Sequence, residues 1–420
     1  MERYAEYKES HIEWVGLIPV HWDIIRVRFL CNIVTGDKDT VNRIDDGEYP
    51  FYVRSPIVER IDTYSFDGEA VLTAGDGVGA GKVFHHVTGK FDYHQRVYNL
   101  HNFRRVSGKY LFFFMQENFY KEIERSNAKS TVDSIRLPMI QNFAIAFPST
   151  VKEQNHVVDY IDCRTAEIDA VIADLQTKTA MLERYKRQLI ADTVMGGIDK
   201  TVPRKDGGVD WIGEIPKDWT VTLLRGVAKD NTVKNEGMKC DNLLSLSYGR
   251  IIQKDIGTHF GLLPASFEGY QIVHEGYTVL RLTDLQNDKR NLRTGYVGET
   301  GIITSAYTAL VPSDEIDSRY FQLLLHVYDL KKIFYGLGGG VRQSLKYTDL
   351  RALPVLIPPM PVQKAIVQFV DNKISQVDGL IADINQQIEN LKKYRQIVIH
   401  DAVTGKVKVA EGYNDNIERA

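Results

Sequence analysis

The run Ile12-Glu13-Trp14-Val15-Gly16-Leu17-Ile18-Pro19-Val20-His21-Trp22 decides how this chain is organised, because it occurs twice. The second copy, Val209-Asp210-Trp211-Ile212-Gly213-Glu214-Ile215-Pro216-Lys217-Asp218-Trp219, begins at an offset of 197. The shared frame is W-x-G-x-I-P-x-x-W. The chain has 4 tryptophans and all of them lie in these two segments, so common residues do not produce the match. Internal self-similarity outranks any local motif as a guide to architecture.

A second pair of copies lies further along, at an offset of 209. Ile168-Asp169-Ala170-Val171-Ile172-Ala173-Asp174 answers Val377-Asp378-Gly379-Leu380-Ile381-Ala382-Asp383, Leu182–Lys186 answers Leu391–Arg395, and Gly196 answers Gly405. In the later copy Val370, Ile374, Val377, Ile381, Ile384, Ile388 and Leu391 keep 4-3 spacing, with Val398 and Ala402 resuming it. That is a coiled-coil seam. The earlier copy holds the same frame with polar gaps, through Ile161, Thr165, Ile168, Ile172, Leu175, Thr179, Leu182 and Leu189. Some 40 helical residues at ~1.5 Å each would make a rod of about 60 Å. Pro148, Pro358, Pro359 and Pro361 stand just ahead of these helices, where proline ends a strand and permits a helix start.

The fold expected is α+β: two strand-rich modules joined by two long, antiparallel, coiled-coil-like helices, a tandem duplication with a pseudo-two-fold. The divisions read from sequence are a module over 1–150, a helix over 151–195, a linker over 196–208, a second module over 209–360, a helix over 361–405 and a polar tail over 406–420. Glu69–Thr73 and Tyr277–Leu282 read as strands. Gly196–Gly208 reads as an exposed hinge, and the tail after Gly412 as frayed.

At 420 residues the chain exceeds one ordinary core, and 43% apolar with 25% charged residues is a globular balance. The N-terminal MERYAEYKESHIEW has no apolar core of a secretory signal, and no run approaches a membrane span. Cys31, Cys163 and Cys240 are isolated, which suits a reducing cytoplasm. A formal charge of −3 neither demands nor excludes nucleic acid, since a local basic face can coexist with acidic surface.

The catalytic signatures fail one by one. Gly75-Asp76-Gly77-Val78-Gly79-Ala80-Gly81-Lys82 resembles a phosphate loop, but Asp76 and Val83 stand where it needs glycine and a hydroxyl. Phe334–Gly338 matches a short methyltransferase glycine signature without the N/D-P-P-[YF] element that would hold a flipped adenine. Asp314–Asp317 imitates a helicase acidic box without a nucleotide-binding loop. No proline precedes an aspartate, which removes a common nuclease opening. His85-His86 has no further ligands to complete a metal site. The residues therefore leave three classes open: a DNA reader, a stand-alone methyltransferase or nuclease, which the missing motifs disfavour, and a coiled-coil protein scaffold.

The twin boxes, twin variable modules and twin helices resemble the specificity subunits of type I restriction–modification enzymes, over essentially the whole chain. The resemblance implies a non-catalytic subunit in which each module reads one half of a bipartite, asymmetric site on double-stranded DNA. The helices would set the spacer and dock two copies of the modification (methyltransferase) subunit. S-adenosylmethionine would be bound by those copies, and ATP and magnesium by a restriction (motor-nuclease) subunit. No cofactor, metal or membrane is expected for this chain itself, and its place is the cytoplasm.

Residues that could touch DNA are nominated by chemistry and by strand order. In the first module they are Lys82, His94, Gln95 and Arg96, since glutamine and arginine can grip base edges in pairs of hydrogen bonds. The plainer alternatives are a solvated lysine and an internal hydrogen-bond network. In the second module Ser305 and Tyr307 occupy the place of His94–Arg96. Gly338–Gly340 lead into Arg342, Gln343, Ser344 and Lys346, where open glycine amides and cations suit a phosphate. The aligned Lys129, Ser130 and Thr131 lack the glycines and the arginine. On the helices Arg184, Lys186, Arg187 and Lys392, Lys393, Arg395 recur in register. They read either as solvated faces or as contacts to the modification subunits.

Overall fold

The computed structural model describes residues 2–126, 134–255, 266–283, 285, 292–337 and 344–409. Lys129, Ser130, Thr131, Arg342 and Gln343, together with the tail from 410, lie outside the described residues. The chain forms two compact units, Met1–Gln176 with Asn385–Ala420, and Thr177–Ile384.

In the first unit the tryptophan box makes two small antiparallel ribbons. β1 (Tyr7–Glu9) pairs with β2 (Leu17–Pro19), and β3 (Trp22–Arg26) will pair with β10. Next come β4 (Asn32–Thr35), β5 (Tyr49–Tyr52), β6 (Glu59–Ile61), β7 (Phe66–Ala74), β8 (Phe84–Tyr93) and β9 (Val97–His101). They form one six-stranded sheet in the order β4-β9-β7-β8-β5-β6, with only the β5–β8 pair parallel. α1 (Gly108–Ser126) packs its Tyr110, Phe114 and Phe119 face on β7 and β8. α2 (Leu137–Asn142) and β10 (Ala144–Pro148) lead to the long α3 (Val151–Gly196).

The second unit repeats the order with shorter strands. β11 (Arg204–Asp206), β12 (Glu214–Pro216) and β13 (Thr220–Leu223) repeat β1 to β3. α4 (Leu224–Val227) and β14 (Ala228–Asp230) follow, then β15 (Leu243–Ser247), β16 (Arg250–Lys254) and β17 (Gln271–Val273). After these come β18 (Thr278–Leu280), β19 (Thr294–Tyr296), β20 (Gly301–Ile303) and β21 (Thr308–Pro312). The sheets are β14-β21-β18-β19 and β16-β15-β20-β17. This is the first module's sheet cut in two. The ten-residue β8 pairs with both β7 and β5, whereas Gly298-Glu299-Thr300 divides its counterpart into β19 and β20. α5 (Ser318–Leu330), α6 (Tyr347–Leu350) and β22 (Pro354–Ile357), which pairs with β13, lead to α7 (Met360–Val403).

The division between units falls inside both long helices, so they do not stand apart from the modules as the linear reading had them. In the first unit Val398, Ile399, Ala402 and Val403 of α7 enter the same core as Trp22, Tyr110 and Val157. In the second unit Ile190, Val194 and Met195 of α3 share a core with Trp219, Tyr320 and Val370. Within the first unit the helix segments run antiparallel. The α7 end lies by Trp22, whose ring is 3.1 Å from the site of a Gly405 Cβ and whose Nε1 donates to Glu153 at the start of α3. Further along α3, Asp169 meets Arg395 at 3.0 Å.

The expected seam is buried at Val370, Val377, Ile384, Ile388, Val398 and Ala402. Thr165 is tolerated in it because its hydroxyl donates to the Ile161 carbonyl at 2.7 Å. Residues 196–208 do not hang as a free hinge. Lys200 donates to the Asp192 and Gly197 carbonyls at the end of α3, and Arg204 opens β11 with a bond to the Glu214 carbonyl. Asp317, part of the acidic run, caps α5 by accepting from Arg319 and Tyr320 amides.

Candidate nucleic-acid interface

In the first module Lys82, His94, Gln95 and Arg96 gather at one end of the sheet. The amide of Gly75, just past β7, donates to Arg96 O at 2.7 Å, joining the glycine turn to the β8–β9 turn. Ile135 N donates to Gly75 O at 2.8 Å, which brings in the segment that rejoins the module after α1. Asp76 then sits between two arginines, Arg54 at 3.0 Å and Arg96 at 3.7 Å. Gln95 donates to Asp39 at 2.7 Å, and Lys82 rests 4.5 Å over the Tyr120 ring.

His94 has a different part. It is buried, and its Nδ1 accepts the Arg96 amide at 2.9 Å. Burial, then the nearby Arg54 charge, lowers its pKa. It is therefore a neutral strut under the turn, which holds Gln95 and Arg96 outward.

The glycine turn resembles a phosphate loop for reasons of packing. A Cβ on Gly79 would stand 2.4 Å from the Arg54 carbonyl, and one on Gly81 would strike Ile123 at 2.1 Å. Those glycines press the turn against its neighbours. Only its tip is open, where Val78 is 91% exposed.

The second module places its counterparts at the same end of its sheet. β18 pairs with β21 so that Leu280 faces Thr308, which puts the turn holding Ser305 and Tyr307 beside the strand exit. Ser305 accepts from Lys234 at 2.9 Å and donates to the Gly269 carbonyl, so its hydroxyl is already engaged. Tyr307 is half-buried against the small core of this sheet. Leu345 N donates to Leu282 O at 2.9 Å, matching Ile135 and Gly75. That bond brings the exposed Ser344 and Lys346 to the strand exit, and the Lys346 amide donates to Asp349.

Sequence reading missed the hairpin tips on this face. Between β5 and β6 stand Arg54 and Ile57, the latter 69% exposed. Between β15 and β16 stand Tyr248 and Gly249, followed by Arg250. The signal was weak: Gly249 between the runs LLSLS and RIIQK marks a turn, but Tyr248 stands where the usual hairpin pair has asparagine or aspartate.

The helix cations divide into two groups. Lys186 is held by Asp378 at 2.6 Å and Glu183 at 3.1 Å, and Arg395 by Asp169. The Lys186–Asp378 and Arg395–Asp169 pairs tie α3 to α7, one in each unit, and Glu183 lies one turn along α3. Lys392 pairs with Glu389 along its own helix at 2.8 Å. Arg184, Arg187 and Lys393 project from the surface. Arg184, Arg187 and Asp192 line a cleft of about 1070 Å³ against Lys331 and Lys332 at the end of α5. In the other unit Lys393, Gln396 and Asp401 line a cleft of about 350 Å³ against Glu117 and Lys121 of α1. At the repeat offset, Arg184 answers Lys393 and Asp192 answers Asp401.

Among the described residues, no group of three or more His, Cys, Asp and Glu side chains could hold a metal ion. Among them too, no helix is long and apolar enough to cross a membrane.

The fold has relatives. A chain solved for the structural basis of complex assembly and conformational transition of the type I R-M system aligns with 93% of this chain and 99% of its own. The TM-score is 0.67 at 14% identity, a likeness of fold. The HsdS subunit from Thermoanaerobacter tengcongensis aligns at a TM-score of 0.51 and 14% identity, over 93% of this chain and 98% of its own. By sequence, the type I restriction enzyme EcoDI specificity subunit of Escherichia coli is 22% identical over 93% of this chain and 90% of its own. The MjaVIII specificity subunit of Methanocaldococcus jannaschii is 22% identical over 97% and 98%. The type I restriction modification DNA specificity domain matches residues 19–174 and again 293–390, one stretch in each half of the duplication. The chain therefore belongs to the type I restriction–modification DNA specificity family, a family of sequence-specific DNA-recognition subunits.

Proposed function

We propose that this chain is the non-catalytic reader of a type I restriction–modification complex, each module recognising one half of a bipartite, asymmetric DNA site. One observation carries the reading. The same four segments lie at the same end of each module: hairpin tip, strand exit, strand-to-strand turn and the segment after the module helix. Their side chains differ between modules, with Arg54, Gln95 and Arg96 in one and Tyr248, Ser305 and Lys346 in the other. A scaffold kept while its presented residues change suits two different half-sites. Gln95 and Arg96 have the donors for base edges, and Lys82, Arg54 and Lys346 suit phosphates. Arg342, Gln343, Lys129, Ser130 and Thr131 lie outside the described residues and remain nominated from sequence.

The paired clefts support two docking sites for one kind of partner. A partner bound twice needs the same surface twice, and Arg184 with Lys331 repeats as Lys393 with Lys121. The partner we assign is the modification subunit, in two copies, which would bind S-adenosylmethionine and methylate adenine. ATP and magnesium would serve a restriction subunit.

The test is modification mapping: this chain is co-expressed with a type I methyltransferase subunit in a methylation-free host and the genome sequenced for N6-methyladenine. A split motif with a fixed spacer, present only with this chain, is expected. Methylation that does not depend on this chain would sink the reading and favour a protein scaffold on the coiled coil.

A further inference from the structure

Tyr248 occupies a position that folding does not account for. It lies in the two-residue turn closed by the Ser247–Arg250 pair of the β15–β16 hairpin. Its φ is +46° and that of Gly249 is +79°. Such a turn favours asparagine, aspartate or glycine, and a bulky residue there is strained. The ring is also 78% exposed, so the core returns nothing for the strain. A strained, unburied aromatic held in one place invites a functional reading.

Its surroundings say what it would meet. The turn is pinned from below, since a Cβ on Gly249 would stand 3.0 Å from Leu292. The hairpin walls a cleft of about 870 Å³ that also holds Lys186, Arg187, Arg250 and Arg319, against the carboxylates of Glu183 and Asp378. Arg250 has a 77% exposed side chain, 3.6 Å from Asp378. The corresponding tip of the first module likewise pairs an exposed apolar residue with an arginine, Ile57 with Arg54.

We propose that Tyr248 is a base-contacting wedge for the half-site read by the second module, its ring packed on a base step while Arg250 holds a flanking phosphate. An aromatic face gains by stacking on any base it can reach, and guanidinium forks match phosphate oxygens. The cleft has more cations than carboxylates, and the tip shares the end of the module with the other reading segments. A polyanion therefore fits it better than a protein surface does. The inference rests on the DNA-recognition reading above and names a residue within it.

The test uses the full chain assembled with its methyltransferase subunits, comparing wild type with Tyr248→Ala, Tyr248→Asn and Tyr248→Phe by N6-methyladenine mapping and by binding to a duplex of the wild-type motif. We expect Ala and Asn to blur the base preference at one or two adjacent positions of a single half-site and to weaken binding about tenfold. Phe should keep the motif, and Asn should melt no lower than wild type because the turn suits it. An unchanged motif in Tyr248→Ala overturns the proposal while the recognition reading stands. So does a loss shared by both half-sites, which together with poorer assembly would make Tyr248 a protein contact. A wild-type chain that directs no split motif overturns the recognition reading and this proposal with it.

Discussion

Lys186 of α3 and Asp378 of α7 stand 2.6 Å apart, and the duplication repeats this pair with the helices exchanged. At the offset of 209, Asp169 answers Asp378 and Arg395 answers Lys186, and that second pair closes at 3.0 Å. Four other contacts recur in the same way. Tyr110 donates to the Val403 carbonyl, as Tyr320 does to that of Val194. Gln154 donates to the Arg105 and Pro148 carbonyls and accepts from Ser107, as Gln363 does with Glu315, Pro358 and Asp317. Each module is thus locked onto the start of one long helix and the end of the other.

Cutting the chain after Ile384 should therefore damage the first module, which lies entirely upstream in sequence. The cut removes Val398, Ile399, Ala402 and Val403 from its core, and each buried aliphatic side chain is worth roughly 1.5–3 kcal/mol. We expect the truncated chain to lose cooperative melting, with partial recovery when a peptide spanning 385–409 is added. A truncated chain that melts like the full one would contradict the shared core.

The buried glutamines should be costly to replace. Gln154→Leu leaves the Ser107 amide and the Arg105 and Pro148 carbonyls without this partner, a loss of about 3 kcal/mol. Gln363→Leu should cost a similar amount, read as a shift in the denaturant midpoint at unchanged slope.

Two glycines with similar backbone angles should respond differently to alanine. Gly16 at φ +68° has open space around its Cβ position, and only the left-handed strain of about 1 kcal/mol applies. Gly405 at φ +70° would set a Cβ 2.4 Å from Pro19 and 3.1 Å from Trp22. Gly405→Ala should lower the melting temperature clearly more than Gly16→Ala.

Acid should weaken the second unit through His326. Burial pushes this imidazole down to about 4, with Arg319, Arg187 and Lys186 adding to the shift. The unfolded chain takes up the proton near pH 6.5 and the folded chain only near 4, so stability is lost as pH falls between these values. The loss from this group is about 2 kcal/mol by pH 5. The difference in unfolding free energy between pH 7 and pH 5 should shrink in His326→Gln, which cannot titrate.

The helix tie itself is a partly buried ion pair still reached by solvent, and a double-mutant cycle on Lys186→Ala and Asp378→Ala should give a coupling of about 0.5 kcal/mol. Its effect on stability is small. Its use is in register, because a slip along the helices would break this tie and the Arg395–Asp169 tie alike.

Much of this was legible in the chain. The tryptophan boxes and the 4-3 seam have fixed local periods, so duplication, module count and helix positions could be read without coordinates. The candidate site was legible only in part. Gln95, Arg96 and Lys82 do reach one surface, but His94 lies beneath it and Ser305 is already bonded to Lys234 and Gly269. Burial of one polar residue in a turn and exposure of its neighbour leave no trace in composition. The tips bearing Arg54 and Tyr248 were passed over because a hairpin cue says where the chain turns, and not which other segments meet it there.

The sequence by itself determined the repeat, the helical seam and the absence of familiar catalytic signatures, since each depends on residues close together along the chain. Only the tertiary structure decided that each module closes around the far end of the other repeat's helix, and which nominated side chains stand outward. Those outcomes depend on contacts such as Tyr110 with Val403, 293 positions apart, whose partners are chosen by packing in three dimensions.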